Sequence, residues 1–317
     1  MMPTLSLRRS ALCLAAFLAL AAAPAWAQTR VIETDFGDVE IPENPQRIVT
    51  TFYGATQPLL DLGLAPVGQG QMAAETNTPP DYWPLIADVP VISLQGSELN
   101  YEKILELAPD LIIEVNAYGE DRVERLNAIA PTVMVGTHGD FRGQWEHRVF
   151  RVAQAVGRVE AYEDLAARLA ARQAEIAGRY GDFLAENPVA VWTVWETGSP
   201  FINPSNTMIG RILEPAGAVF AAGAETLKLD TGAETQVSNE DLGTLLADAK
   251  IIFYATDLAG NVNQATEDTR ALSNYRLLPA VQEGREFPLG KIVIAGYGDA
   301  MIALDYFEAA LETLAGN

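Results

Sequence analysis

The chain has 317 residues, of which 42 are acidic and 21 are basic, and its formal net charge at pH 7 is −21. Such a charge repels nucleic acid, and no basic stripe offsets it, so a nucleic-acid-binding protein is excluded. The single cysteine, Cys13, rules out a disulfide framework, and two histidines, His138 and His147, argue against a bare zinc or manganese site.

Residues 1–27 have the organisation of a cleaved signal peptide. Arg8 and Arg9 form a positive n-region, and an apolar stretch from Ser10 to Ala23 follows that is too short to span a bilayer. Ala25-Trp26-Ala27 supplies the small residues of a cleavage site. We therefore expect export and cleavage after Ala27, which removes the only cysteine and changes the net charge from −21 to −23.

Short apolar segments alternate with helical segments through the first half of the mature chain. A helix is predicted near 55–62. Strands are predicted at Arg47–Thr51, Pro66–Gly68, Val89–Ile92, Asp110–Val115 and Thr132–Val135. This alternation favours a mainly parallel sheet, and we assign residues 28–158 to a first α/β lobe.

Residues 160–186 form a different pattern, with apolar side chains at helical spacing and charges on the other face. The pattern predicts one helix of about 40 Å at 1.5 Å per residue. We assign 159–187 to this connecting helix, and its stiffness argues against a large hinge closure. A second α/β lobe over 188–317 is predicted from strands at Pro188–Trp195, Lys250–Ala255 and Gly290–Ala295 and from a final helix at Leu304–Leu314.

One phrase occurs in both lobes. Asn100-Tyr101-Glu102-Lys103-Ile104 precedes the apolar segment at 111–113, and Ser238-Asn239-Glu240-Asp241-Leu242 precedes the one at 251–253. Each copy has the pattern of an amphipathic helix, N-capped by Asn100 or Ser238, that leads into a strand. The fold class is therefore α/β, with two similar lobes joined by a long helix and a ligand cleft between them.

Aromatic residues follow or end several predicted strands. In parallel α/β sheets, ligands bind outside the carboxyl ends of the strands, so these residues are candidates for the cleft wall. Ordinary packing is the alternative for each. The candidates are Tyr53, Trp83, Tyr118, Trp195, Phe201, Tyr254 and Tyr297, with Arg270 as the preferred cation among Arg142, Arg211, Arg270 and Arg276.

A set of phrases in a fixed order extends over nearly the whole mature chain. They are Pro45–Val49, Leu60–Gly68, Asn100–Ile104 with Pro109–Ile113, Ile129–Val133, Ile212–Gly217, Val237–Leu242 and Leu278–Val281. In this order the chain resembles the periplasmic substrate-binding proteins of ABC importers for ferric siderophores, haem and cobalamin. The phrase at 129–132, Ile-Ala-Pro-Thr, is most similar to the ferric-siderophore branch.

The resemblance implies a function and assigns roles to residues. Glu102 and Glu240 would be the carboxylates, one per lobe, that meet arginines of an inner-membrane permease with its ATPase. In ferric-hydroxamate binders a tyrosine sixteen residues after the first glutamate contacts the ligand, and Tyr118 occupies that spacing; the arginine that such proteins carry six residues before that glutamate is Gly96 here.

The expected protein is thus a periplasmic monomer that binds a ferric siderophore and performs no reaction. It needs no cofactor and no protein ligand to iron, because the siderophore surrounds the metal. A haem- or cobalamin-binding protein of the same fold is one alternative. An exported carboxylate-dependent α/β hydrolase is the other, although the sequence has no Gly-x-Ser-x-Gly elbow.

Overall fold

The computed structural model describes residues 28–70, 78–93 and 98–316. The signal peptide prediction and Gly96 lie outside the described residues. No helix among the described residues is both long and apolar enough to cross a membrane.

The first lobe begins with an antiparallel hairpin of β1 (Thr29–Thr34) and β2 (Gly37–Pro42). A four-stranded parallel sheet of order β4-β3-β5-β6 follows. Its strands are β3 (Ile48–Thr50), β4 (Gly68–Gln69), β5 (Leu111–Val115) and β6 (Thr132–Val135). Every residue of β5 is buried, as expected for a central parallel strand covered on both faces.

Among the described residues of the first lobe, five segments are α-helical. They are α1 (Tyr53–Asp61), α2 (Trp83–Ile86), α3 (Tyr101–Glu106), α4 (Glu120–Asn127) and α5 (Trp145–Ala155). Helices α1 and α5 begin where strands β3 and β6 have ended, so their N-termini lie toward the carboxyl edge of the sheet.

The long connecting helix is confirmed. Helix α6 (Val159–Glu186) has 28 residues, which corresponds to about 42 Å. Its buried residues recur at steps of three or four, so a single stripe packs against the core of the second lobe. They are Leu169, Gln173, Ile176, Tyr180 and Leu184.

The second lobe contains a mixed five-stranded sheet of order β11-β10-β7-β8-β9. Strand β10 pairs in parallel with β7 and β11, and β8 is antiparallel to both of its neighbours. The strands are β7 (Val189–Val194), β8 (Pro200–Ile202), β9 (Thr235–Gln236), β10 (Ile251–Ala255) and β11 (Glu286–Leu289). The helices are α7 (Gly210–Leu213), α8 (Ala222–Glu225), α9 (Leu242–Leu245), α10 (Gln264–Arg270), α11 (Ser273–Arg276), α12 (Pro279–Gln282) and α13 (Tyr297–Ala315).

The predicted strand at Gly290–Ala295 is wrong. The strand in this region, β11, begins four residues earlier. It pairs with β10, and the last pair of residues is Ala255 with Leu289. Residues 290–296 therefore have no neighbouring strand and form an irregular link to α13, which begins seven residues before the predicted start at Leu304. The predicted strand at Val89–Ile92 is reduced to an isolated bridge between Gln69 and Val91.

The two copies of the repeated phrase differ in structure. Asn100 caps α3 as predicted, because its Oδ1 accepts a hydrogen bond from the Lys103 N–H at 2.9 Å. Ser238 Oγ accepts from the Asp241 N–H at 3.3 Å, but Glu240 lies in a turn, and helix α9 begins only at Leu242. The Asn274 side chain donates a hydrogen bond to the carbonyl of Asn239 at 2.7 Å, so this carbonyl already has an acceptor role outside any helix.

Several polar contacts connect the lobes. Asp61, at the end of α1, accepts hydrogen bonds from the backbone N–H of Tyr297 at 2.6 Å and of Gly298 at 3.0 Å. Gln57 on α1 donates to Asp299 on α13. Both contacts join the first lobe to the N-terminal turn of α13, so this turn is held by carboxylate and amide groups from the opposite lobe.

Candidate binding cleft

A cavity of about 600 Å³ lies between the lobes, at the carboxyl ends of β3, β7, β10 and β11. Tyr53, Gln57 and Arg142 form its first-lobe wall, and Trp195 with the segments 255–257, 261–263 and 290–293 form the second-lobe wall. Its position follows the rule for open α/β sheets, and its volume is within the range of small-molecule sites.

Tyr53 is the first residue of α1, and two residues separate it from the end of β3. Its ring packs against Phe52, with ring centroids 4.3 Å apart. Burial raises the pKa of Tyr53, although the charges of Arg148 and Arg142 oppose this effect. The phenol therefore stays neutral near pH 7 and can donate a hydrogen bond into the cavity.

Trp195 is the most exposed large aromatic side chain of the cavity wall, with 54% of its surface accessible. It directly follows β7, and the Asn263 side chain donates to the neighbouring Val194 carbonyl at 2.9 Å. Asn263 also caps α10 by accepting a hydrogen bond from the Thr266 N–H at 2.7 Å. Trp195 thus offers a flat apolar face to a ligand from a well-anchored position.

Arg142 supplies a cation from the first lobe. Its guanidinium binds the Glu234 carboxylate in bidentate fashion, with Nη2–Oε1 at 2.5 Å and Nε–Oε2 at 3.1 Å. Burial raises the pKa of Glu234, but the hydrogen bonds and charge of Arg142 outweigh it and hold the pKa below its usual value. Because Glu234 belongs to the second lobe, this ion pair also joins the two lobes.

Lys291 supplies a cation from the second lobe. It lies in the irregular segment after β11, and its Nζ is 3.2 Å from Asp299 Oδ1. Asp299 is fully buried at the start of α13, and burial raises its pKa, although the nearby charge of Lys291 lowers it. Both cations on the cavity wall are already paired with carboxylates, so they offer N–H donors to a strongly polar ligand rather than an uncompensated positive charge.

The loop after β10 owes its shape to Asp257. Its Oδ1 accepts hydrogen bonds from the backbone N–H of Ala259 and Asn261 at 2.9 and 2.8 Å, and its Oδ2 accepts one from the Asn261 side chain at 3.0 Å. This local network presents the residues 261–263 to the cavity.

Of the eight residues predicted for the ligand site, the structure brings two, Tyr53 and Trp195, to the wall of this cavity. Tyr254 lies in β10, immediately before the lining residue Ala255, and Arg270 stacks on its ring at 4.3 Å while binding Glu286. The Arg270 guanidinium is therefore already paired within the second lobe.

The other predicted residues lie elsewhere. Trp83 is half-buried at the start of α2, Phe201 is half-buried in β8, and Tyr118 is half-buried beyond β5 with the Arg122 guanidinium 3.8 Å from its ring. Tyr297 is buried and packs edge-on against Trp145, with ring centroids 5.1 Å apart. The position of an aromatic residue at the end of a strand does not specify the direction in which its ring points. That direction decides which aromatic side chains reach the cavity.

Of the four arginines proposed from the sequence, Arg142 lines the cavity, whereas the preferred one, Arg270, does not. Gln57, Lys291 and the asparagines at 261 and 263 were missed altogether. The same strand-end rule could have identified Lys291, had β11 been placed correctly.

Glu102 and Glu240 are both exposed. Glu102 lies in the first turn of α3, and Glu240 lies in the turn before α9. Neither belongs to the cavity wall. Within the described ranges, no group of three or more histidine, cysteine, aspartate or glutamate side chains is placed to hold a metal ion.

Comparisons with known proteins give a consistent result. A family profile described as "Periplasmic binding protein" matches residues 48–292. The probable siderophore-binding lipoprotein YfiY of Bacillus subtilis is 28% identical over 298 residues, which cover 90% of this chain and 87% of that protein.

Solved structures have the same fold. The siderophore periplasmic binding protein from the fuscachelin gene cluster of Thermobifida fusca is 30% identical, with a TM-score of 0.71, over 86% of this chain and 98% of that one. Staphylococcus aureus SirA complexed with staphyloferrin B is 22% identical, with a TM-score of 0.73, over 90% of this chain and 99% of that one, a likeness of fold.

Proposed function

The chain belongs to the periplasmic binding protein family, and we propose that it captures a ferric siderophore between its lobes and delivers it to an ABC importer. The observation that carries this proposal is the interlobe cavity of about 600 Å³, with Tyr53 and Trp195 as aromatic contacts and Arg142 and Lys291 as cations. The names of the relatives support the choice of ligand class.

The cavity suits a metal that is already chelated. A siderophore satisfies the coordination of iron, so the protein has to recognise only the outer surface of the complex. Aromatic faces and a few charged donors provide that recognition without ligating the metal. A haem or cobalamin ligand remains the alternative within the family, and it would draw a tyrosine or histidine toward the metal.

The hydrolase alternative receives less support from the site. Carboxylate-dependent hydrolysis uses a pair of carboxyl groups that flank the scissile bond. Among the described residues that line the cavity, Asp257 is the one carboxylate, and it is occupied by the hydrogen bonds of its own loop. We therefore propose a binding protein without catalytic activity.

Location and partners follow from the same proposal. The N-terminal signal pattern and the family support an exported, periplasmic protein, cleaved after Ala27 and active as a monomer. Its partner would be an inner-membrane permease with its ATPase. Glu102 and Glu240, one exposed carboxylate on each lobe, would dock onto permease arginines and set the register of the complex.

The test is a fluorescence titration of the purified mature protein. Ferric catecholate, hydroxamate and carboxylate complexes are added separately, with haem as the rival ligand. At least one ferric complex should quench tryptophan emission at micromolar concentration or below, because Trp195 is exposed on the cavity wall. A Trp195→Phe variant should still bind, by calorimetry, but lose most of the quench. Tight haem binding with no response to any ferric siderophore would transfer the assignment to the rival.

A further inference from the structure

Arg148 is buried, and no carboxylate in the described part of the chain forms an ion pair with it. It lies on α5 with 4% of its surface exposed, and its Nη2 donates to the backbone carbonyl of Ile294 at 2.8 Å. Its Nε is buried and makes no hydrogen bond within residues 28–70, 78–93 and 98–316. The same Nη2 also lies 3.4 Å from the Ala295 carbonyl. Arginine is almost never fully buried unless it is paired, so this guanidinium requires an explanation beyond two neutral carbonyl contacts.

The guanidinium lines a small side cavity of about 100 Å³ that adjoins the main cleft. Tyr53, Arg142 and Val293 line both spaces, and Thr137 and His138 complete the polar part of the smaller one. At about 30 Å³ per water, the volume corresponds to roughly three water molecules, which suits a compact group rather than a whole ligand.

The side cavity is electropositive. Burial, together with the nearby charge of Arg142, lowers the pKa of Arg148 from 12.5 to about 10, although Tyr53 and Asp299 oppose this shift. Burial also lowers the pKa of His138, and the charges of Arg142 and Arg148 add to this. Glu234 offsets part of the charge, but its hydrogen bonds go to Arg142 and not to Arg148.

We infer that the side cavity is a subsite for one compact anionic group of the ligand, such as a carboxylate, and that Arg148 is its main donor. The inference rests on the proposed function and narrows its ligand class to ferric siderophores with an anionic arm. Such a group would accept a hydrogen bond from the Arg148 guanidinium, whose Nε–H has no acceptor among the described residues, in a site sheltered from water where charge-assisted hydrogen bonds are strong. Tyr53, at the boundary of both spaces, would contact the same arm.

The experiment compares Arg148→Gln with wild type by calorimetry. The probes are ferric staphyloferrin B and ferric dicitrate, which carry carboxylates, the ferric complex of desferrioxamine B, which carries none, and citrate without iron. Arg151→Gln is the matched control: it removes the same charge from the same helix, but Arg151 faces Asp35, with Nη2–Oδ1 at 2.7 Å. Thermal unfolding of each variant verifies that it is folded.

We expect Arg148→Gln to weaken binding of a carboxylate-bearing ferric complex about thirtyfold or more, the scale for removal of one partner of a buried charged contact. Binding of the desferrioxamine complex should change less than about threefold, and Arg148→Lys should restore most of the loss. A merely structural role of Arg148 would affect both probe types equally, and that result overturns the inference.

Three other outcomes would reject the inferred subsite. Binding of iron-free citrate as tightly as the ferric complexes would mean that the subsite takes a free anion, against the ligand arm inferred here. Wild-type binding of the desferrioxamine complex alone would overturn the inference and leave the proposed function standing. Binding of no ferric complex would reject the proposed function itself, and the subsite with it.

Discussion

The contact between Asp61 and helix α13 predicts an unusual dependence of stability on pH. The carboxylate accepts the Tyr297 and Gly298 N–H groups and a hydrogen bond from the Tyr82 hydroxyl. Burial nevertheless raises its pKa from 3.8 to about 7, and the negative charge of Asp299 contributes to the increase, while the three hydrogen bonds oppose it. Asp61 is therefore expected to exchange its proton close to neutrality.

The direction in which stability changes with pH follows from the linkage between folding and proton binding. The folded state binds the Asp61 proton more tightly than the unfolded chain does, so the contribution of this group to stability is complete below pH 3.8 and is lost as the pH rises through about 7. The interval from 3.8 to about 7, at about 1.36 kcal/mol per pH unit, amounts to about 4 kcal/mol. Some 2–3 kcal/mol of this should be lost between about pH 5 and pH 8.

The perturbation is Asp61→Asn, which keeps the shape of the side chain but cannot ionise. Chemical unfolding at several pH values from 5 to 8 should show the free energy of unfolding of wild type falling, relative to the variant, by those 2–3 kcal/mol. Asp257→Asn is the control: burial raises the pKa of Asp257, but hydrogen bonds from Asn261 hold it below 3.8, so its difference from wild type should stay constant over this range. Parallel curves for wild type and Asp61→Asn would refute the reasoning.

Two predictions concern binding and transport. Tyr118→Ala should change the affinity for the ferric siderophore as little as Tyr101→Ala does, because both tyrosines stack under an arginine and neither lines the cavity. A loss of about 1–3 kcal/mol in Tyr118→Ala alone, the scale of a truncated aromatic anchor, would contradict this and return Tyr118 to the ligand site. Replacing Glu102 and Glu240 together with alanine should leave ligand affinity intact and reduce uptake into cells, while Glu106→Ala on the same helix α3 transports normally. Normal transport by the double variant would contradict the docking role.

The sequence by itself determined the architecture. The spacing of apolar residues at 160–186 identified α6 almost to the residue, because a period of 3.6 over seven turns has no other stable solution. The apolar segment at 132–135 coincided with β6, because β-branched residues between turn signals favour a strand where the segment is buried in a sheet. The order of family phrases then identified the fold and the class of protein, which the comparisons confirm.

Tertiary structure alone decided the wall of the cleft. The apolar segment at 290–295 reads as a strand, but β10 ends at Ala255 and offers no partner beyond Leu289, so the backbone turns into the cavity and brings Lys291 with it. Arg148 lies on an ordinary amphipathic helix, and its burial against Ile294 depends on how one lobe packs on the other. Local periodicity specifies which residues form an element, whereas side-chain direction, strand pairing and lobe docking depend on contacts between residues that are distant in the chain, such as Ala255 with Leu289 and Arg148 with Ile294.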